Sequence, residues 1–523
     1  MYTFKVSINE RNIDIDFNLS LKLYTSQQVR SGEIKAAQIA GVSMYDLMQK
    51  AGIAVYECFR QHYSNAQRIL VVCGKGNNGG DGYVFASLAK QAGLQIRVFH
   101  LGEINQLNGD AKTAYEEWCS IGGSIEHWDD WHVALLDAEV IIDAMLGTGL
   151  RGSLSQDFQL RISQINQINC PVISVDIPSG LNADTGTVHG VAIKAEHTVT
   201  FVAVKQGLCT GQARSYIGKM HFAGLGISAE FRSIEDESAL GIDHQIISRL
   251  RPDRQQTAHK GHHGKVLCVG GNKGMSGAIR LCVLGAVRTG VGLAAAITHQ
   301  KSLAPLQISV PEVMSDAISI EELSLVENVL TEKIAWATVL ILGPGLGCDR
   351  WADQVYHSMA QQNIPKVLDA DGLNILALIS RRNDHISVYD DQRVITPHSA
   401  EAARLLDVSV DAVEYDRFSA AKKLHEKYGG VVVLKGAGTL IYDGTRMYVC
   451  LAGNAGMASG GMGDVLAGVI GAFVAKGLPI GLAARLGVVV HSHAADLNVY
   501  QFGECGLLAS DVVKMLRSAL NNT

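Results

Sequence analysis

Apolar positions along this chain alternate between two regimes: short runs of consecutive hydrophobic residues and longer stretches with helical spacing. Residues 24–62 read as helical, with Ile39, Met44, Leu47, Met48 and Ile53 spaced to bury one face. Short β-rich runs follow, separated by helical segments, and strands are predicted at 69–73, 96–101, 140–143, 172–176 and 197–202. A polar stretch over 228–237 reads as an interdomain linker, giving domains at 1–227 and 238–523. The alternation then resumes. Strands are predicted at 266–270, 339–343, 367–371, 394–397 and 431–435, and a buried helix opens at Asp464 and runs to Ala475. Continuous apolar strands between helices predict α/β domains whose parallel sheets are covered on both faces. Several of these strands run directly into Gly, Asp or Pro, at the carboxyl edge where open α/β sheets bind ligands.

Composition narrows the class. At 523 residues the chain is too long for one ordinary core, and 47% hydrophobic residues with 55 Gly suit two enzyme-sized domains rich in tight turns. A net charge of -6, without a basic run or an interleaved aromatic stripe, argues against a nucleic-acid partner. The ten cysteines show no CxxC pair and no Cys/His ligand spacing, so reduced cytosolic thiols are expected. Lys5, Glu10, Arg11, Asp14 and Asp16 interrupt any signal-peptide core, and the apolar stretch 465–475 is too short to span a bilayer. A cytoplasmic enzyme without a membrane partner is expected.

Two glycine-rich segments carry candidate chemistry. The first, Gly74-Lys75-Gly76-Asn77-Asn78-Gly79-Gly80-Asp81-Gly82, follows a strand and satisfies GxGxxG. The acid that should end the next strand of a dehydrogenase is missing, because Val98-Phe99-His100-Leu101 stands there. A dehydrogenase is therefore disfavoured. Asp143, before Gly147-Thr148-Gly149-Leu150-Arg151-Gly152-Ser153, and Asp176, before Ile177-Pro178-Ser179, end two further strands at the same edge. Asn78, Asp143 and Ser179 form an oxygen set suited to a weakly charged hard cation. Turn capping by Asp143 and Asp176 is the structural alternative. The second segment, Gly453-Asn454-Ala455-Gly456-Met457-Ala458-Ser459-Gly460-Gly461-Met462-Gly463-Asp464, enters a helix, where backbone N–H groups attract phosphate. Asp464 could deprotonate a hydroxyl attacking a phosphoryl group, or simply cap the helix. No GxxxxGK[ST] motif is present.

GxGNNGGDG, DAxxGTGLxG and VDIPSGL, in this order over residues 20–226, resemble the NAD(P)H-hydrate epimerase domain. The resemblance implies a Rossmann-like αβα domain. It implies that Asn77, Asn78, Gly79, Gly80, Asp81, Gly147, Thr148, Gly149, Leu150, Arg151, Gly152 and Ser153 hold substrate. Asn78, Asp143 and Ser179 would bind potassium, and Asp176 would be the acid/base. From residue 240 onward, Lys435-Gly436-Ala437-Gly438-Thr439 and the segment around Asp464 resemble the ribokinase-like NAD(P)H-hydrate dehydratases.

This second resemblance implies an αβα domain in which Asp464 is the base. Lys435, Gly436, Ala437, Gly438, Thr439 and Gly463 would hold ADP with Mg2+. Ala278, Gly345 or Gly347, His398 and Asp464 would touch the hydrated nucleotide. The activity implied is epimerisation of R and S NAD(P)H hydrates (NADHX and NADPHX), then dehydration of the S form with ADP, giving AMP and phosphate. A homo-oligomer is expected. The chain departs from the family in Ser399-Ala400, where Pro-Gly is common, and in Ala455, commonly Pro. Altered loop order or affinity is expected there. A small-molecule kinase of the vitamin-precursor type, with a non-catalytic N-terminal nucleotide-binding module, is the alternative.

Overall fold

A computed structural model describes residues 21–149, 152, 154–318, 331–382 and 388–521. They divide into two compact units, one ending at Ala239 and the next beginning at Leu240.

The first unit opens differently from the single helix expected over 24–62. The segment forms β1 (Leu21–Tyr24), α1 (Ser26–Ala40) and α2 (Met44–His62). Gly41 ends α1 in the left-handed region at φ 67, and Ser43 starts α2 through a capping box with Asp46. The break changes the phase of the helical spacing. Ile39 and Ile53 are 61% and 39% exposed on the outer faces of α1 and α2, while Ala36, Ala37, Leu47, Met48 and Val55 face the core.

There follow β2 (Arg68–Cys73), α3 (Asn77–Gln91), β3 (Gln95–His100), β4 (Val140–Ala144), β5 (Val172–Val175), β6 (His197–Phe201), β7 (Val204–Lys205) and β8 (Lys219–Ala223). The sheet order is β3-β2-β4-β5-β6-β8, parallel throughout, and β1 pairs with β7. Ile69, Val71 and Cys73 of β2 enter one hydrophobic cluster while Leu70 and Val72 enter another, so the sheet is sandwiched between two apolar layers. Sequence reading missed β8 because Lys219 and His221 interrupt its apolar run.

The expected linker is also structured. Ser228–Ile234 is a helix. Its Phe231 is buried edge-on against Tyr24 at 4.9 Å, and a side chain on Gly32 of α1 would begin only 2.6 Å from that ring. Lys22–Glu237 (3.0 Å) and Gln28 Nε2 donating to Asp236 O (2.7 Å) fasten the remainder. The charged residues around Phe231 made a helix with one anchoring aromatic read as a linker.

The second unit contains β9 (Ala239–Ile242), β10 (Lys265–Val269), β11 (Leu293–His299), β12 (Met314–Ile318), β13 (Val339–Leu342), β14 (Lys366–Leu368), β15 (Arg393–Ile395), β16 (Val431–Leu434), β17 (Leu440–Tyr442) and β18 (Met447–Cys450). Their order is β12-β11-β10-β13-β14-β15-β16-β17-β18-β9. Pairing is parallel except at β16–β17 and β17–β18. The helix Met462–Ala475 is buried along nearly its whole length and crosses the helix Ser276–Arg288 in close contact. A Cβ on Gly468 would lie 2.0 Å from the Cys282 carbonyl oxygen, and one on Gly285 2.5 Å from that of Val465. Backbone on backbone leaves no room for a methyl group. Gly468→Ala is therefore expected to destabilise the protein by about 1–3 kcal/mol, read as a lower thermal midpoint; an unchanged midpoint would show that the crossing tolerates a side chain.

Candidate functional site

In the first unit the chain leaves β2 for β3 on one flank and returns to β4 on the other, which opens a crevice at their carboxyl ends. The elements meet there without side chains between them: Gly74 N donates to Ala144 O at 3.0 Å. A Cβ on Gly79 would lie 1.9 Å from Gly74 O. Because α3 starts at Asn77, the segment Asn77, Asn78, Gly79, Gly80 and Asp81 is the first turn and a half of a helix, not a free loop. Its N-terminal end, with its positive dipole, faces a cavity of ≈ 580 Å³ lined by Glu33, Met48, Asn78, Asp81, Leu146 and Asp176 among others. Gly147, Thr148 and Gly149 also line it, and Arg30 of α1 donates to Thr148 O at 3.1 Å. Gly152 has φ 78, while Leu150, Arg151 and Ser153 lie outside the described residues.

Asp176 sits just past β5 with φ 63, a left-handed conformation uncommon for a side-chain-bearing residue. Its Oδ1 accepts from Lys205 Nζ (2.5 Å), Thr200 Oγ1 (3.2 Å) and Phe201 N (3.2 Å). Lys205 is only 1% exposed, and its Nζ also donates to Phe201 O at 3.0 Å. Two further acids share this field. Burial, then the charges of Asp176 and Glu33, push the Asp81 carboxyl well above its ordinary range. Burial pushes Glu33 up to about 7; Lys205 opposes this and Asp176 adds to it. The cluster thus offers acids with different proton affinities around one buried cation, an arrangement suited to proton transfer.

Asp143 is fully buried beside this cavity. It accepts from Ser179 Oγ (2.5 Å), Ser179 N (2.9 Å) and Ser174 Oγ (2.8 Å). Burial raises its pKa, and these hydrogen bonds oppose the rise. Ser179 Oγ in turn accepts from Leu146 N at 2.9 Å, and Asn78 packs on Gly147, so the three residues converge on the turn after β4. The turn-capping role open to Asp143 is present here, and it does not exclude a cation. Asn78 Nδ2 is buried without a partner. Carboxylate, hydroxyl and amide oxygens gathered at one turn fit a hard monovalent cation.

In the second unit the order reverses between β10 and β13, whose ends are tied by Gly271 N to Pro344 O (2.9 Å) and Asn272 N to Gly345 O (2.7 Å). Ala278 touches Gly345: a side chain there would start 2.9 Å from the Ala278 methyl. Gly347 N donates to Asp371 Oδ2 at 2.7 Å. Farther along the same edge, Asp369 Oδ1 accepts from Lys435 Nζ (2.6 Å) and Thr396 Oγ1 (2.7 Å), and Glu401 lies 3.6 Å from Lys435. Lys435 Nζ lies 3.0 Å from where a Gly463 side chain would begin, so the first turn of the Met462–Ala475 helix rests on this ion pair. Asp464 is in that first turn. Burial pushes its carboxyl up to about 7, Asp369 adds to the rise and Lys435 opposes it. Gly461, not Asp464, occupies the helix cap.

His398 caps the helix Ser399–Leu406, its Nδ1 accepting from Ala400 N at 3.1 Å, with its ring half-exposed. Gly436 has φ 146 and packs against the Arg417 guanidinium, which donates to Leu434 O (3.2 Å) and Lys435 O (3.0 Å). Thr439 Oγ1 donates back to Gly436 O at 3.0 Å, and Ala437 and Gly438 complete the turn between β16 and β17.

Two family profiles match the chain: "YjeF-related protein N-terminus" over residues 44–207 and "NAD(P)H-hydrate dehydratase" over residues 266–518. The bifunctional NAD(P)H-hydrate repair enzyme Nnr of Vibrio cholerae is 46% identical over 97% of this chain and 100% of its own. The chain belongs to the bifunctional NAD(P)H-hydrate repair enzymes. The Escherichia coli Nnr is 40% identical over 95% of this chain and 94% of its own. A ribokinase-like superfamily protein of known structure from Enterococcus faecalis is 28% identical, covering 54% of this chain and 95% of its own at a TM-score of 0.48. Similarity to repair enzymes along the full chain does not favour the small-molecule kinase.

Several residues at these repair-enzyme pockets escaped the sequence reading. Lys205 had one signal, a lone cation ending the apolar run Phe201-Val202-Ala203-Val204. Glu33 had none, because it sits on a helix remote in sequence. Asp369 directly follows β14 and Glu401 sits in the first turn of the helix Ser399–Leu406, and their pairing with Lys435 required the fold. Asp496 also went unseen; it accepts from Gly453 N (2.9 Å) and Asn454 Nδ2 (2.8 Å) and holds the glycine-rich entry. The departures from the family pattern are ordered: Ser399 starts a helix and donates to Glu414, which pairs with Arg417 at 3.0 Å. Ala455 begins a short 3₁₀ turn. Asp464 is expected to titrate near about 7 by carboxyl carbon NMR. Asp369→Asn removes a neighbouring negative charge and should move that titration to lower pH; no movement would show that burial alone sets it.

Proposed function

We propose that the first pocket epimerises NAD(P)H hydrates at C6 of the hydrated nicotinamide ring and the second dehydrates the S epimer at the expense of ADP. The observation that supports this reading is a reactive carboxylate at the switch-point edge of each sheet, Asp176 against Lys205 and Asp464 above Lys435 and Asp369. In the first pocket, Asp176 exchanges the proton of the C6 hydroxyl. A proton it gives to that hydroxyl lets the C6 oxygen leave as water, its charge then offsets the cation that develops in the ring, and it takes the proton back as water adds to the other face. Lys205 holds that carboxylate in place. Substrate phosphates lie at the N-terminal end of α3, against Asn77 to Asp81 and the Gly147–Gly149 turn. Asn78, Asp143 and Ser179 would hold potassium, which supplies fixed positive charge beside the phosphates.

In the second pocket Asp464 removes the proton of the C6 hydroxyl, whose oxygen attacks the terminal phosphoryl group of ADP and releases AMP. Loss of phosphate from C6 together with a proton from C5 then restores NAD(P)H. Backbone donors around Gly463 face the developing phosphoryl charge. The turn Lys435 to Thr439 would seat the nucleotide, and Ala278, Gly345, Gly347 and His398 the hydrated ring. Asp369, Asp371, Glu401 and Asp464 gather around Lys435, and Mg2+ accompanying the diphosphate would offset negative charge there.

The test is recovery of dihydronicotinamide absorbance from mixed R and S NADH hydrate with ADP, Mg2+ and potassium. The protein is expected to restore all of it. Asp176→Asn should restore the S fraction first and the R fraction about 10²–10⁴ times more slowly. Asp464→Asn should restore none. No recovery by folded protein with ADP or ATP would refute the reading.

A further inference from the structure

Cys58 and His62 lie four residues apart in the last turns of α2, His197 opens β6, and His221 lies in β8. The sequence showed no ligand spacing because three elements supply the set. One ligand atom from each of the four residues lies within 4.8 Å of all the others. Cys58 Sγ is 3.9 Å from His62 Nδ1, and His197 Nδ1 is 2.9 Å from His221 Nε2. Metal–nitrogen and metal–thiolate bond lengths place ligand atoms about 3.3–3.6 Å apart around a tetrahedral zinc ion. Those two separations bracket that value, and closing the site requires side-chain rotation, since His62 Nδ1 donates to Cys58 O at 3.0 Å.

We propose that Cys58, His62, His197 and His221 form a structural site for one zinc-class divalent cation that fastens α2 to β6 and β8.

The donor set matches a borderline-soft metal, with three imidazoles and one thiol and no carboxylate. Cys58 and His197 are largely buried, and His62 and His221 are partly exposed. His197 Nδ1 and His221 Nε2 share a hydrogen bond at 2.9 Å, so one of the two facing nitrogens carries a lone pair to offer. Burial pushes the Cys58 thiol up to about 12, so binding releases its proton; Lys219 opposes that rise. The site is distinct from the candidate epimerase pocket. His197 opens β6, whereas Thr200 and Phe201 near its other end bond Asp176.

The test uses untagged full-length protein stripped with a chelator, shown to be folded by circular dichroism, and titrated with Co2+. One equivalent should give the intense visible bands of tetrahedral cobalt and a thiolate-to-cobalt charge-transfer band, release a proton, and be displaced by one equivalent of Zn2+. Cys58→Ser should lose the charge-transfer band, and His221→Asn should weaken cobalt binding at least 10-fold, as loss of a ligand does. Exposed cysteines elsewhere, or a magnesium site, would give signals that survive both substitutions. Such survival, or the absence of tetrahedral bands in folded unsubstituted protein, would overturn the assignment.

Discussion

Everything at the two pockets depends on backbone packed directly against backbone. A helix can start on top of a strand end only where no Cβ separates them. Gly79 against Gly74 seats α3 on β2 in the first unit. In the second, Gly468 and Gly285 let the Met462–Ala475 helix press into the helix beside it, which fixes its first turn over Lys435 and Asp369. Helix N-termini are thereby held at the carboxyl edges of parallel strands. Such an end presents unpaired N–H groups and a positive dipole to whatever enters. A helix end suited to phosphate is in this sense a by-product of packing.

The second shared device is electrostatic. A lysine taken out of water keeps its charge only beside an acid, and each pocket holds one such pair, Lys205 with Asp176 and Lys435 with Asp369. The pairs are used differently. In the first, the paired carboxylate itself faces the cavity, with Glu33 and Asp81, whose carboxyls burial pushes up, beside it. In the second, Asp369 is tied down by Lys435 and Thr396, and the carboxylate pushed to near neutral pH is the neighbouring Asp464. One ion pair orients a carboxylate; the other adjusts the proton affinity that burial has raised in a different one.

Much of this was legible in the sequence, and the exceptions have physical causes. All ten predicted strands overlap strands of the structure, because buried parallel strands read as unbroken apolar runs. Among the strands that escaped, β8 has mixed faces with Lys219 and His221, β7 is only two residues long, and the three successive alanines of β11 favour helix over strand. Residues 24–62 misled because helical periodicity was followed through Gly41 without allowing for the change of phase it causes. The motif residues Asp143, Asp176, Ser179 and Asp464 could be placed at strand ends or helix starts from their neighbours. Their partners Glu33, Lys205 and Asp496 could not, since the residues that complete each cluster come from elements distant in the chain.

The burial of Lys205 bears on how such a protein can decay. A chain that loses Asp176 keeps an ammonium group 1% exposed with its hydrogen-bonded carboxylate gone and only Glu33 and Asp81 left to balance it, and breaking a buried ion pair costs up to about 3–5 kcal/mol, a large share of a domain's margin. Drift toward an inactive first unit is therefore penalised in the fold before selection on activity acts. A descendant that keeps this unit as a passive module should have exchanged the lysine together with the carboxylate, so in relatives of unknown activity the fate of the lysine is as informative as that of the acid.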